Sequence, residues 1–259
     1  MKFIGDFHTH TLASTHAYST ITENAKWASE HGIKFLATTD HGTDMEDAPH
    51  LWHFYNLKVI PDELFGVRII KGIEANIRDE NGTLDIYDPF VYKCVQWVNA
   101  SMHYPLMQPS DKAAHTKAYL SVLQNPEVDV ICHSESEQYD YDFDAVAREC
   151  ANQGKLIELN VTRLYRGGVT AQRYAMILEA CEKYGTSIVV NSDAHFYTAI
   201  GDFDVAKELI EKAASQSAEI ILFPEMSVTD RVALAKRHLA KSLEISRPTL
   251  YAKLKKYNI

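Results

Sequence analysis

The feature that most constrains this chain is where its histidines and carboxylates fall within an alternation of short β-like and longer helical runs. Extended segments are expected at residues 2–7, 33–38, 67–73, 95–100, 128–132, 156–159 and 187–190. Helices are expected at 22–31, 112–123, 144–153, 171–184 and 205–214, with Thr20 and Glu23 spaced as a capping box before the first. Residues 43–65 read as a long irregular stretch, and 219–223 as a further extended run. Such an alternation argues for a parallel sheet with crossover helices. Asp6, His8 and His10 lie at the end of the first strand, Asp40 and His41 after the second, Glu74 after the third and His103 after the fourth. His133 follows the fifth, Asn160 the sixth, and Asp193 and His195 the seventh, while His16 stands apart in the first loop. In a β/α barrel the carboxyl ends of the strands converge on one face, where active sites are built. A chance distribution would scatter several of these residues onto helices, so a closed or nearly closed barrel is expected.

A length of 259 residues suits one such barrel, and there is no internal repeat, low-complexity tract or Gly/Ser linker. Lys+Arg of 26 against Asp+Glu of 35 gives 26 − 35 = −9. An acidic chain is a poor general binder of nucleic acid, so no such partner is expected, and a phosphorylated substrate would need a locally positive site. Cys94, Cys132, Cys150 and Cys181 form no CxxC pair and read as buried, reduced thiols. No run is long enough to span a bilayer, and MKFIGDFHTH has too short an apolar stretch for a secretory signal. A cytoplasmic protein without a membrane partner is expected.

His8-Thr9-His10 puts two imidazoles on one side of an extended segment, about 7 Å apart at Cα, so both can reach one ion. Asp193-Ala194-His195 repeats that spacing far along the chain. Imidazole plus carboxylate without thiolate suits Zn²⁺, Mn²⁺ or Fe²⁺. His8, His10, His16, His41, Glu74, His103, His133, Asp193 and His195 are too many for one ion. They point to two or three ions bridged by Glu74 or hydroxide. Clustered cations bring the pKa of bound water near neutrality and neutralise a phosphate ester, which suits phosphate-ester hydrolysis.

The HTH near the start, TTDHG, GIEANI and NSDAH resemble the PHP superfamily (polymerase and histidinol phosphatase), and DFHTHTLASTHAYSTI with DHGTDMEDAPHLWHF resembles its YcdX-type phosphatases. The resemblance covers roughly residues 3–205. It implies a distorted seven-stranded (β/α)7 TIM-like barrel, a centre of three divalent metal ions that are usually zinc, phosphatase activity on small phosphate esters, and a trimeric homo-oligomer. By position it implies that His8, His10, Glu74 and Asp193 hold a first ion, Glu74, His103 and His133 a second, and His16, His41 and His195 a third. The nucleophile would be a metal-bridging hydroxide held by this set, with no side-chain nucleophile.

Asp6 and Asp40 read as carboxylates that orient the ligand imidazoles. Where the family more often has His-Pro-Gly, this chain reads HSESEQYDYDFD, so Glu135 and Glu137 add negative charge near the site. After the sixth strand NVTRLYRGG offers Arg163 and Arg166 to grip phosphate. The resemblance implies that the loop holding His50 and His53 lines or covers the pocket, while as bare residues they suit a packed aromatic loop; His31 sits at a helix end, and His115 and His238 read as solvent-facing helix residues. None of these five is expected to bind catalytic metal.

The barrel domain is expected at 1–225, with a helical extension at 226–259. That tail's LEISRPTLYAKLKKYNI resembles the second half of a Fis-type helix-turn-helix; as bare residues, Leu250/Leu254 and Tyr251/Tyr257 suit packing on the barrel. Three other activities compete with the phosphatase reading. A phosphodiesterase or nuclease is one, although no long basic groove is evident. An amidohydrolase-type hydrolase is another, and would need a bridging lysine; Lys71, the nearby candidate, faces away from Glu74 by alternation. A metal-binding regulator with a DNA-binding tail is the third.

Overall fold

The computed structural model describes residues 3–166 and 171–214. Eight strands form one sheet: β1 (Gly5–Thr9), β2 (Phe35–Thr38), β3 (Glu63–Leu64), β4 (Val67–Asn76), β5 (Trp97–Ser101), β6 (Val130–Ile131), β7 (Leu156–Asn160) and β8 (Ile188–Asn191). Seven run parallel in the order β1-β2-β4-β5-β6-β7-β8, and β3 pairs antiparallel with β4. The helices between them are α1 (Ile21–Glu30), α2 (Trp52–Asn56), α3 (Val91–Cys94), α4 (Lys112–Val122), α5 (Phe143–Gln153), α6 (Val161–Arg166), α7 (Ala171–Tyr184) and α8 (Asp204–Ala214). This is the expected seven-stranded parallel barrel, nearly closed.

Alternation along the strands sorts side chains into two cores. In β4, Ile69, Ile73 and Ala75 pack outward with α1 residues Ala25 and Ala28. Ile70 points inward, where Phe7, Trp97, Val130, Leu156 and Val189 fill the barrel below the site. Glu74 shares the inward parity of Ile70, whereas Lys71 shares that of Ile69 and reaches Asp62. In β1 the pairing with β2 advances from Asp6↔Leu36 to Thr9↔Thr38, so β1 carries one extra residue. That irregularity lets Phe7 fill the interior while His8 beside it also faces the barrel.

The seam between β1 and β8 is not a full ladder. It includes the bridge Thr9↔Ala194, the bond from His10 N–H to Ala194 O at 2.9 Å, a bond from Phe7 N–H to the Asn191 side-chain oxygen at 2.9 Å and one from Ser192 N–H to Asp6 Oδ1 at 3.1 Å. Asn191 Nδ2 in turn donates to Glu158 Oε1 at 2.9 Å. A buried amide thus stands in for missing ladder bonds and ties the closure to the site.

Local signals explain the helix ends. Thr20 and Glu23 form the expected capping box, Asp142 caps α5 by accepting from Ala145 N–H, and Gly154 ends α5 at φ 63°, where a side chain would be strained. Three expectations need correction. The stretch expected as irregular holds α2 and the β3–β4 hairpin. Glu74 and His8 lie within their strands, because burial on both faces extends β1 and β4 past the apolar run that marked them. His115 is not solvent-facing: it is 1% exposed, accepting from Ser110 N–H at Nε2 with Nδ1 against Asp140 O. The segments 219–223 and 226–259, with His238, lie outside the described residues.

Replacing Asn191 with Ala should lower the unfolding free energy by about 2–4 kcal/mol, because Phe7 N–H and Glu158 would lose a buried partner. Urea denaturation of the metal-free protein measures this.

Candidate metal centre

Glu74, fully buried in β4, is the hub. Its Oε2 lies 3.2 Å from His8 Nε2, 3.4 Å from His10 Nε2 and 3.0 Å from His41 Nδ1. Its Oε1 lies 3.4 Å from His103 Nε2 and 3.2 Å from His133 Nε2. Asp193 closes the opposite side, with Oδ1 3.5 Å from His8 Nε2 and 3.2 Å from His10 Nε2, and Oδ2 3.7 Å from His133 Nε2. His16 stands further out, its ring 5.3 Å from His41 and 4.3 Å from His195. All nine candidate ligands, eight from strand ends and His16 from the first loop, therefore converge on one place. Two of them need strained backbone to do so: His133 has φ 53° and Asp193 φ 54°, left-handed conformations that turn each side chain into the barrel as its strand ends.

These donors suit cations better than one another. Several of the spacings are near the 3.4 Å or so that separates two ligands of a tetrahedral ion with legs of about 2.1 Å. Among the described residues, His8 Nε2, both ring nitrogens of His41, Glu74 Oε2 and His195 Nε2 are buried without a hydrogen bond. Buried polar atoms are normally satisfied, so a set of them aimed at one space fits a site for cations. His10, His41 and His195, then His8, Glu74 and His133, then His8, His10 and Asp193 each bring ligand atoms within 4.8 Å of one another.

The electrostatics agree. Burial opposes charge on Glu74, but His8, His103 and His41 hold its carboxyl well below the usual carboxylate range. Burial also opposes charge on His8, yet Glu74, Glu158 and Asp193 raise its imidazole well above the ordinary value. Burial drives His103 down to about 3 and His195 to about 4. Neighbouring imidazoles are thus forced into opposite protonation states, a tension that bound cations would relieve.

An outer ring of acceptors aims the imidazoles. Glu158 Oε1 is 2.7 Å from His8 Nδ1, Asp47 Oδ2 is 2.7 Å from His16 Nδ1, and Asn76 Oδ1 is 2.6 Å from His103 Nδ1. Sequence reading missed Glu158, Asp47 and Asn76. The signal for Glu158 was a carboxylate amid the apolar strand Leu156-Ile157-Glu158-Leu159; nothing local singles out Asp47. The expected role of Asp6 and Asp40 is corrected in turn. Asp6 accepts from main-chain amides, Ser192 at 3.1 Å and Gly201 at 3.3 Å, and burial lifts its carboxyl to about 6. Asp40 accepts from Thr11 N–H and from Ser14 Oγ, lies 3.2 Å from His53 Nε2, and meets a ring of the cluster only through Ser14, 3.4 Å from His10 Nδ1.

The cluster floors an open cavity of about 450 Å³ whose rim includes Tyr18, Met45, Thr162, Arg163, Phe196 and Ala199. Arg163 sits on α6 rather than in a loop. Arg166 ends that helix, and its side chain lies outside the described residues. Glu135 is buried beside His133 and Glu137 is exposed. His31 stacks on Trp27 at 3.8 Å, and His50 is exposed.

Comparison with known proteins follows the same lines. The sequence pattern of the family described as "PHP domain" matches residues 6–234. A protein named "Probable phosphatase" from Acetivibrio thermocellus is 43% identical over 212 residues, covering 82% of this chain and 88% of the relative. A probable phosphatase of Photobacterium profundum is 38% identical over 231 residues, covering 89% and 94%. Among solved structures, histidinol phosphate phosphatase from Lactococcus lactis, complexed with zinc, L-histidinol and phosphate, aligns with a TM-score of 0.60 at 20% identity over 81% of this chain and 93% of that one.

Glu158→Ala should cost about 3–5 kcal/mol of stability in the metal-free protein, since it strips His8 Nδ1, Asn191 Nδ2 and the His133 amide of their buried acceptor. Glu158→Gln should cost less, and chemical denaturation of both variants gives the comparison.

Proposed function

This chain belongs to the PHP domain family, and we propose that it is a metal-dependent phosphatase hydrolysing small phosphate monoesters at a centre of three divalent ions. The observation that carries the reading is Glu74, whose two oxygens each face a separate group of imidazoles, as a bridging carboxylate requires. The name of the curated relatives, probable phosphatase, and the zinc and phosphate of the Lactococcus lactis structure support it. In this reading His8, His10, Glu74 and Asp193 hold one ion, Glu74, His103 and His133 a second, and His16, His41 and His195 a third. Zinc fits imidazole and carboxylate best, with manganese or iron as the alternatives. A YcdX-type assignment within the family is part of the same proposal.

The ions would supply activated water near neutral pH and neutralise the phosphate charge. The chain's own residues do the rest. Glu158, Asp47 and Asn76 take the outer nitrogens of His8, His16 and His103, so each ring presents its other nitrogen inward. Arg163 on the rim offers a charged fork to phosphate, and Arg166 is assigned the same task from its sequence position. Tyr18, Met45 and Phe196 give the organic leaving group an apolar seat. No side chain need act as nucleophile: burial pushes the Cys132 thiol well above its usual value, which keeps it protonated.

Lys71, turned outward to Asp62, gives no support to a lysine-bridged amidohydrolase. The catalytic domain is assigned to residues 1–225, with 226–259 as an extension to it. The buried free thiols Cys132, Cys150 and Cys181 suit a cytoplasmic location. No helix among the described residues is long and apolar enough to cross a membrane.

Elemental analysis of the purified protein should find about three equivalents of Zn, Mn or Fe, as the proposed ligand sets require. Chelation should abolish turnover of an aryl phosphate, and divalent ions should restore it. His10→Ala and Glu74→Ala should match the chelated protein in activity while keeping its helix content by circular dichroism. Undiminished turnover by metal-depleted protein would refute the proposal.

A further inference from the structure

Glu135 is a buried carboxylate with no task in the proposed chemistry. It is 0% exposed, and neither carboxylate oxygen has a hydrogen bond. Among the described residues its one ion-pair partner is His133, whose Nδ1 lies 3.7 Å from Glu135 Oε1. A buried carboxylate without a firm partner is destabilising, so its presence calls for a compensating role.

His133 supplies one. Its Nε2 faces the hub, 3.2 Å from Glu74 Oε1 and 3.7 Å from Asp193 Oδ2. An imidazole that offers Nε2 to an ion carries its proton on Nδ1, and that N–H needs an acceptor. Asn160 Nδ2 is 3.4 Å from Nδ1, but an amide nitrogen cannot accept, and this one donates toward Asp193 Oδ2 at 3.2 Å. Glu135 Oε1 can accept. The same pairing recurs around the cluster: Glu158 on His8, Asp47 on His16 and Asn76 on His103. His133 lacks such a partner unless Glu135 is it.

We propose that Glu135 is a positioning residue, accepting the Nδ1–H of His133 so that Nε2 is aimed at the proposed second ion with raised basicity. The inference rests on the metal-centre reading. In the loaded protein the carboxylate would strengthen a ligand, so its removal should weaken metal binding.

The test uses the full-length protein with Glu135→Leu and Glu135→Gln. Zinc affinity is measured by competition with a chelator, stability by urea unfolding of the metal-free forms, and the His133 ring by ¹⁵N NMR of the zinc-loaded forms. Glu135→Leu should bind its weakest zinc equivalent about 10–100-fold less tightly. Its metal-free form should stay close to the parent in stability, and its His133 Nδ1 resonance should shift. Glu135→Gln, which keeps an acceptor oxygen, should recover most of the affinity. Unchanged zinc affinity in Glu135→Leu would overturn the proposal, as would a metal-free form that loses stability in proportion to affinity. A parent protein that binds no zinc, manganese or iron would instead bring down the metal-centre reading itself.

Discussion

The structure is organised around one buried carboxylate that faces imidazoles from four different stretches of chain. Glu74 lies inside the barrel with His8, His10 and His41 against one oxygen and His103 and His133 against the other. Such a group would be prohibitively costly in a neutral apolar interior. It is held ionised because the imidazoles outweigh its burial. Those imidazoles crowd one another in turn, their rings as close as 4.3 Å for His10 and His195. The barrel mouth is therefore a crowded region of opposed charges, a crowding that the proposed cations would relieve.

The rest of the fold serves to hold that arrangement. Phe7 and Trp97, 4.9 Å apart at their ring centroids, fill the barrel beneath it and give it an apolar floor. The extra residue in β1 lets Phe7 and His8 both face inward, one to the floor and one to the site. At the ends of β6 and β8 the chain accepts left-handed backbone at His133 and Asp193 to keep both side chains in the barrel. Strain of this kind persists only where surrounding contacts over-determine it. Glu158 is central among those contacts, since it touches His8, the His133 amide and Asn191 of the seam. Closure of the barrel and aim of the ligands thus share one hydrogen-bond network.

Much of this is legible in the order of residues alone. The HxH and DxH spacings, and the recurrence of metal-competent residues at strand ends, depend only on period-2 alternation and parallel topology. Other features are not legible, each for a physical reason. Glu158 belongs to a strand buried on both faces, and alternation alone does not tell an aimed carboxylate from a misplaced one. Asp47 is 31 positions from His16, so their bond depends on how a long loop folds. His115 reads as solvent-facing on α4, but its neighbours Ser110 and Asp140 come from outside the helix and bury it.

The sequence by itself determined the alternation, the fold class and the identity of the nine converging residues, because these follow from side-chain chemistry and local periodicity. The tertiary structure alone decided which acceptor aims which imidazole, that Asp6 and Asp40 brace backbone, Ser14 and His53 rather than the rings of the nine, and that Glu135 is buried beside His133. Those outcomes depend on distances of a few ångströms between segments far apart in the chain. Local propensity carries no information at that scale; packing around a shared buried charge does.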